Sequence, residues 1–142
     1  MGKKLPRFFH CPTEFTLHML GGKWKTVILC FLKERPCRYA ELRKLLPSLS
    51  DKMLTERLYD LMASGLVVRK PRTVGPAQEY MLTPRGKQLT GILKHLDAWG
   101  VENARSFNVQ VGTPLTDLDN ELKARPRSAT SERPSISGGK HR

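Results

Sequence analysis

The stretch from residue 38 to residue 80 constrains the fold of this chain more than any other segment. Apolar side chains recur at three- and four-residue steps over residues 39–46 and again over residues 51–64, which predicts two amphipathic helices. Pro47 closes the first of these helices, and Ser50 is a residue type that caps a helix N-terminus. The sequence therefore predicts two short helices joined by a tight turn.

A pair of strands around a basic turn follows these helices. Gly65 can take a positive φ and stops the second helix. Residues 66–69 and 79–82 are apolar and read as strands, and the run KPRTVGPAQ joins them. The predicted fold class is mainly α with a small β-hairpin, and the order of these elements along the chain is that of a winged helix-turn-helix. Such a fold places one helix in a DNA major groove and the hairpin along the phosphates beside it.

Further helices are predicted on both sides of this unit, over residues 13–20, 23–34 and 84–108. The composition changes near residue 111, where Ser, Pro, Thr, Gly and charged residues replace apolar ones. Three segments are therefore expected: a basic arm over residues 1–12, one winged-helix domain over residues 13–110, and a disordered tail over residues 111–142.

The charge of the chain favours a polyanionic partner. The formal net charge is +12, from 25 basic and 13 acidic residues, and most of the excess lies in residues 1–110. A basic domain of this size most often binds nucleic acid, although a generic basic bias is the alternative. No apolar run approaches the roughly 20 residues of a membrane helix, and the N-terminus lacks the apolar core of a signal peptide. We therefore expect a cytoplasmic protein with no membrane partner.

The polar face of the helix over residues 51–64 is the predicted DNA-reading surface. Placing Leu54, Leu58 and Leu61 inward, at about 100° per residue, turns the intervening polar side chains outward. A lysine and a threonine near the N-terminal end suit phosphates and base edges, and a glutamate suits a cytosine amino group or the lysine one turn back. The alternative is an ordinary solvated face. The candidate DNA-binding residues are Ser50, Lys52, Met53, Thr55, Glu56 and Arg57.

Six other cations are candidates for contacts with the phosphate backbone. Long basic side chains on a hairpin held open by prolines can follow a backbone without reading its sequence. The alternative for the hairpin is an ordinary soluble turn. These candidates are Arg69, Lys70 and Arg72 in the hairpin, and Arg38, Arg43 and Lys44 at the start of the helix over residues 39–46 and along it.

The last predicted helix carries a wider apolar stripe than one small core requires. The surplus predicts an isologous interface with a second copy, which suits a two-fold DNA site with half-sites roughly 34 Å apart. The alternative is that the helix only covers its own core. The candidate interface residues are Leu89, Ile92, Leu93, Leu96 and Trp99.

Cys11 is the one cysteine with a candidate chemical role. The chain has three cysteines without the spacing of a disulfide framework or a zinc site. Cys11 lies in the basic arm, where nearby cations stabilise a thiolate, so an oxidant or electrophile sensor is one interpretation. The other is a small apolar residue tucked against the first helix. No catalytic constellation or metal-ligand set stands out, so we predict no enzyme activity, no metal and no cofactor.

Several runs of this chain resemble the HxlR-type branch of the MarR-like winged-helix regulators. They are CP, LGGKWK, RYAEL, SDKMLT, GLV and EYMLTPRG, which start at residues 11, 20, 38, 50, 65 and 79. The resemblance covers about residues 10 to 105, and the GGKW run followed by the SDKMLT helix is its most specific part.

The resemblance implies a bacterial transcription regulator that binds operator DNA as a homodimer, built through its first and last helices. It also implies that the fourth helix reads the major groove, and that a cysteine in the position of Cys11 senses quinones, aldehydes or disulfide stress. The partners that the resemblance implies are therefore DNA, a second copy of the chain, and a small-molecule or oxidant effector. The alternative is a winged helix that contacts RNA or protein without reading DNA sequence.

Overall fold

The computed structural model describes residues 4–112 of the 142-residue chain. It is mostly helical with a two-stranded antiparallel hairpin, which confirms the predicted fold class. The predicted disordered tail lies outside the described residues from residue 113 onward, and the boundaries of the arm and the domain stay predictions. The elements are α1 (Pro12–Leu20), α2 (Lys25–Glu34), α3 (Tyr39–Leu45), α4 (Asp51–Ala63), β1 (Val67–Pro71), β2 (Gln78–Leu82), α5 (Pro84–Gln88), α6 (Thr90–Ala104) and a 3₁₀ turn (Arg105–Phe107).

The core lies between α2, α3, α4 and the hairpin, with Leu20 from α1 and Leu93 from α6. Helix α2 is at its centre because Ile28 and Leu29 are fully buried. Helices α3 and α4 each turn a leucine stripe towards it, as their three- and four-residue spacing predicts. The burial of so many aliphatic side chains fixes both helices of the helix-turn-helix against one support. The other fully buried leucines are Leu42, Leu49, Leu54, Leu58, Leu61 and Leu93.

The hairpin is attached to the helices through a single-residue β-bridge. Strands β1 and β2 pair with Val67 opposite Leu82 and Pro71 opposite Gln78. Cys37, in the connection between α2 and α3, exchanges two backbone hydrogen bonds with Tyr80, at 3.0 and 2.8 Å. Because the start of α3 is bonded to β2, the hairpin keeps a fixed place beside the helix-turn-helix.

The helix predicted over residues 84–108 is divided, and this expectation is corrected. Helix α5 begins after Thr83, whose hydroxyl accepts a hydrogen bond from the Gly86 amide at 3.0 Å. It ends at Gln88, and the amide of the following residue, Leu89, bonds to the Gly86 carbonyl three residues back, so the helical repeat tightens there before α6 starts. The predicted start of the second helix at residue 23 is also early, because Trp24 has a left-handed backbone with φ of 80°.

Candidate nucleic-acid interface

Helix α4 presents a polar face that residues 4–112 leave uncovered. Ser50 caps the helix, and its Oγ accepts a hydrogen bond from the Met53 amide at 3.2 Å. The side chains of Lys52, Thr55 and Glu56 are exposed, and Met53 is half-buried. The predicted orientation of this face is therefore confirmed. Within residues 4–112 no carboxylate lies within ion-pair distance of Lys52, so the predicted pairing with Glu56 does not form and the ammonium is available to an external anion.

Arg43 supports the turn between α3 and α4. Its Nη1 donates hydrogen bonds to the carbonyl of Leu46, at 3.3 Å, and to the carbonyl of Leu49. Its Nε is 2.7 Å from Oδ1 of Asp51, the first residue of α4. The sequence pattern suggested a phosphate contact for Arg43. The structure instead gives its guanidinium internal partners across the turn, which fixes the angle at which α4 leaves it.

Tyr39 makes a second connection between α3 and α4. Its hydroxyl is 3.1 Å from the carbonyl oxygen and 3.1 Å from Oδ1 of Asp51, and 3.2 Å from Oγ1 of Thr55. The apolar periodicity over residues 39–46 includes Tyr39 but assigns no role to its hydroxyl, so this connection was not predicted. The available signal was the residue type, because a tyrosine at the edge of a core usually finds a partner for its hydroxyl.

Arg57 points along α4 rather than away from it. Its Nη1 is 3.0 Å from Oδ2 of Asp60, one turn further on, and its side chain is 29% exposed. The Nε atom of Arg57 is buried and has no hydrogen-bond partner among the described residues. The suggested phosphate contact from the flank of α4 is therefore weakened, since this cation is already paired and partly covered.

Some cations of the hairpin and of α3 form ion pairs, whereas others do not. Arg69, Lys70 and Lys44 are exposed, and no ion pair engages them within the part of the chain that the structure describes. In contrast, Nε of Arg72 is 3.5 Å from Oε2 of Glu79 across the hairpin. The free charges of the wing therefore lie on β1.

Arg38 caps α3 together with Glu41. The Glu41 carboxylate accepts a hydrogen bond from the Arg38 amide at 2.7 Å and lies 3.5 Å from Arg38 Nε. Burial acts to raise the pKa of Glu41, but the amide of Arg38 and the charges of Arg35 and Arg38 outweigh it, so the net pKa is below its ordinary value. Arg38 thus has an internal task at the start of α3, and its side chain is nevertheless 46% exposed.

The apolar side of α6 separates into a covered and an uncovered part. Leu93 is 1% exposed and belongs to the core of its own chain, so its predicted place in a dimer interface is wrong. The physical reason is that α6 packs on α2 with this side, where Lys33 Nζ is 2.8 Å from Asp97 Oδ2. Leu89 is half-buried. Ile92, Leu96 and Trp99 are exposed by 43, 45 and 61% and form the uncovered part.

Cys11 lies in the open at the start of α1. Its side chain is exposed, and its Sγ accepts a long hydrogen bond of 3.4 Å from the Glu14 amide, as the N-cap of the helix. The alternative of a cysteine tucked against the first helix is therefore wrong. Cys30 and Cys37 are buried, and burial, followed by the charge of Asp97, raises the pKa of Cys30 to about 11. Only Cys11 combines a thiol with access for a reagent.

Two general findings concern metals and membranes. No group of three or more His, Cys, Asp or Glu side chains within residues 4–112 is arranged to hold a metal ion. No helix among the described residues is long and apolar enough to cross a membrane.

A capped helix with an exposed polar face, a bonded turn and a basic hairpin together define a winged helix-turn-helix of the kind found in transcription regulators. Residues 19–107 match the model of the HxlR-like helix-turn-helix family, and the chain belongs to this family. The chain is thus an HxlR-type helix-turn-helix transcriptional regulator, as the sequence resemblance implied.

Known relatives support the same assignment. The HTH-type transcriptional regulator YtcD of Bacillus subtilis (strain 168) is 43% identical over 115 residues, which is 80% of this chain and 89% of YtcD. The redox regulator HypR in its reduced form is 36% identical with a TM-score of 0.64, over 69% of this chain and 98% of that one. The reduced form of YodB from B. subtilis is 31% identical with a TM-score of 0.58, over 68% of this chain and 94% of YodB.

Proposed function

We propose that this chain binds operator DNA as a homodimer, with α4 of each copy in the major groove and the hairpin on the flanking phosphates. The observation that carries this proposal is the exposed face of α4 formed by Lys52, Thr55 and Glu56. These side chains face away from the core on a helix whose N-terminal turn is bonded in place. A regulator of this kind acts through binding and not through catalysis.

The distribution of free charge supports the same docking. Lys52 at the start of α4 and Arg69 and Lys70 on β1 are exposed cations without a carboxylate partner among residues 4–112. Phosphate contacts supply most of the affinity for any duplex, whereas contacts to base edges supply the sequence preference. Thr55 and Glu56, one turn into α4, are therefore assigned to base edges, and the cations to phosphates.

The experiment that tests this proposal is a selection of bound duplexes from a random pool, followed by binding at several salt concentrations. Each lost phosphate contact is expected to reduce the slope of log K against log salt by about 1. Lys52→Gln and Arg69→Gln should do so, whereas Lys94→Gln, at an exposed lysine of α6, is the matched control. If the selection yields no shared sequence, the alternative of a winged helix for RNA or protein contacts is the better account.

The uncovered part of α6 supports the homodimer. Ile92, Leu96 and Trp99 expose 43, 45 and 61% of their surface along one face of the helix, and Phe15 and Leu17 of α1 are exposed by 40 and 55%. Apolar side chains clustered in this way on a helix are typical of an interface between copies. Trp99→Asp is expected to yield a monomer in sedimentation equilibrium, while Lys94→Asp, an added charge of the same kind on the same helix, keeps the wild-type mass.

Cys11 supports an effector of the oxidant or electrophile class. HypR has been solved in an oxidized and a reduced form, and YodB in a quinone-bound and a diamide-treated form. In this chain Cys11 is exposed at the N-cap of α1, so a modification there acts on a helix that the dimer would use. Diamide should therefore release wild-type protein from its operator. Equal release of Cys11→Ser would remove Cys11 from the proposal.

A further inference from the structure

The hydroxyl of Tyr39 contacts two residues of α4, Asp51 and Thr55, and of the α4 atoms that it contacts only the Thr55 hydroxyl carries a proton to donate. It lies 3.1 Å from both the carbonyl oxygen and Oδ1 of Asp51, and 3.2 Å from Oγ1 of Thr55. Oδ1 of Asp51 also accepts from Nε of Arg43 at 2.7 Å. Arg43, Asp51, Tyr39 and Thr55 therefore form one connected network, which we call the α3–α4 network.

The protons in this network can be assigned by counting. The tyrosine and threonine hydroxyls carry one proton each, whereas the carbonyl and the carboxylate of Asp51 carry none. A carboxylate is also a stronger acceptor than a neutral hydroxyl, so the Tyr39 proton is directed to Asp51. The Tyr39 oxygen is then an acceptor, and the Thr55 hydroxyl must donate its proton to it. The opposite assignment would leave two acceptor oxygens 3.1 Å from the Tyr39 oxygen with no proton between them.

This assignment limits what Thr55 can offer to a ligand. Its side chain is exposed, and its oxygen keeps a lone pair while its proton is already used. In the major groove adenine N6 and cytosine N4 are donors, whereas guanine O6 and thymine O4 are acceptors. A free threonine hydroxyl rotates and serves either kind of edge, but a hydroxyl that only accepts pairs with an amino group and repels an oxo group.

We propose that Tyr39 is a positioning residue that fixes Thr55 as a hydrogen-bond acceptor, so that α4 selects adenine or cytosine at the base facing Thr55. Tyr39 touches no base and acts through Thr55. The inference rests on the proposed function, because it requires α4 to lie in the major groove.

The first part of the test locates the base and asks whether its amino group is read. Duplexes selected by the wild-type chain are compared with those selected by Thr55→Val, which keeps the shape of the side chain and removes its hydroxyl. At the position whose preference is lost, adenine or cytosine is replaced by purine or 2-pyrimidinone, which lack the amino group. Wild type should bind the replaced duplex about fivefold to tenfold more weakly, and Thr55→Val less than about twofold more weakly.

The second part of the test concerns Tyr39. Tyr39→Phe keeps the ring and removes only the hydroxyl, so binding to random duplexes should not change. Its discrimination between an amino group and an oxo group at the located position should fall to less than about threefold, because the Thr55 hydroxyl can now rotate. Thr55→Ser keeps the hydroxyl and is the matched control that retains the wild-type preference. Thermal unfolding of each variant confirms that it is folded.

The outcomes separate this inference from the proposed function. Unchanged discrimination by Tyr39→Phe, or wild-type selection of guanine or thymine at the base facing Thr55, would overturn the inference and leave operator binding intact. Absence of any selected sequence would overturn both. Should Tyr39→Phe fail to fold, the wild-type preference for an amino group and its loss in Thr55→Val decide the matter.

Discussion

Arg43 offers the sharpest separation between a structural and a DNA-binding role. The substitutions that separate them are Arg43→Ala and Arg43→Lys, with Lys44→Ala as the neighbouring control. Lysine keeps the charge that a phosphate contact needs, but it lacks the planar fork that donates to Leu46, Leu49 and Asp51 at once. A role in the turn therefore predicts that Lys cannot replace Arg, whereas a phosphate contact predicts that it can.

The magnitude follows from the partners of Arg43. Hydrogen bonds from a charged donor contribute about 1.5–3 kcal/mol each, and the lower end applies here because the Arg43 side chain is 30% exposed. The pair with Asp51 adds less than about 1 kcal/mol, since that carboxylate is 73% exposed. Two such hydrogen bonds and the weak ion pair sum to about 3–4 kcal/mol, so we expect Arg43→Ala to lower the free energy of unfolding by about that amount, which is about 15–20 °C in Tm for a domain of this size.

The assay combines urea unfolding with the salt dependence of DNA binding. Arg43→Lys should lose about 1–2 kcal/mol of stability, whereas Lys44→Ala should stay within about 0.5 kcal/mol of wild type. The folded fraction of Arg43→Ala should bind DNA with the wild-type slope of log K against log salt. A variant of wild-type stability whose salt slope falls by about 1 would refute the role in the turn and restore the phosphate contact.

Three further predictions concern packing, thiol reactivity and pH. Gly86→Ala should destabilise the fold by more than about 3 kcal/mol, because a Cβ there would overlap the Leu66 carbonyl. Gly91→Ala, whose new Cβ meets nothing within 4 Å, should stabilise α6 by about 0.5 kcal/mol. Urea titrations measure both changes. Iodoacetamide at neutral pH should label native protein once, at Cys11, as mass spectrometry of peptides would show, and equal labelling of the two buried cysteines would contradict the structure. The pKa of Glu41 is below its ordinary value of 4.5, so the ionised carboxylate stabilises the fold above pH 4.5, and this stabilisation is lost as the pH falls through the folded-state pKa. Glu41→Gln should therefore be less stable than wild type at neutral pH, and the two stabilities should converge in acid.

The sequence predicted those parts of the site that depend on periodicity and capping. The leucine spacing in α4 and the N-cap at Ser50 follow from local rules that use only a few neighbouring residues. For that reason the exposed position of Lys52 and Thr55 was predictable before any coordinates. The attachment of the hairpin through Cys37 and Tyr80 was not, because it joins residues that are far apart in the chain.

The partners of the arginines were not predictable in the same way. A basic residue near a helix-turn-helix suits a phosphate as well as an internal carboxylate, and only the fold brings Arg43 to Asp51 and Arg57 to Asp60 in a definite geometry. The break at Leu89 escaped detection because leucine continues an apolar stripe and carries no stop signal. The burial of Leu93 depends on which side of α6 packs on α2, which no local pattern specifies.

The bonds that Tyr39 and Arg43 make to the first turn of α4 have a consequence for protein engineering. A chimera that receives only residues 51–63 of this chain would keep the α3 of its host beneath the transplanted helix, without Tyr39 and Arg43, which hold the N-terminal turn here. The smallest transferable cassette is therefore the whole block from Tyr39 to the end of α4. A comparison of the α4 sequence alone omits two of the side chains that determine how the helix is held.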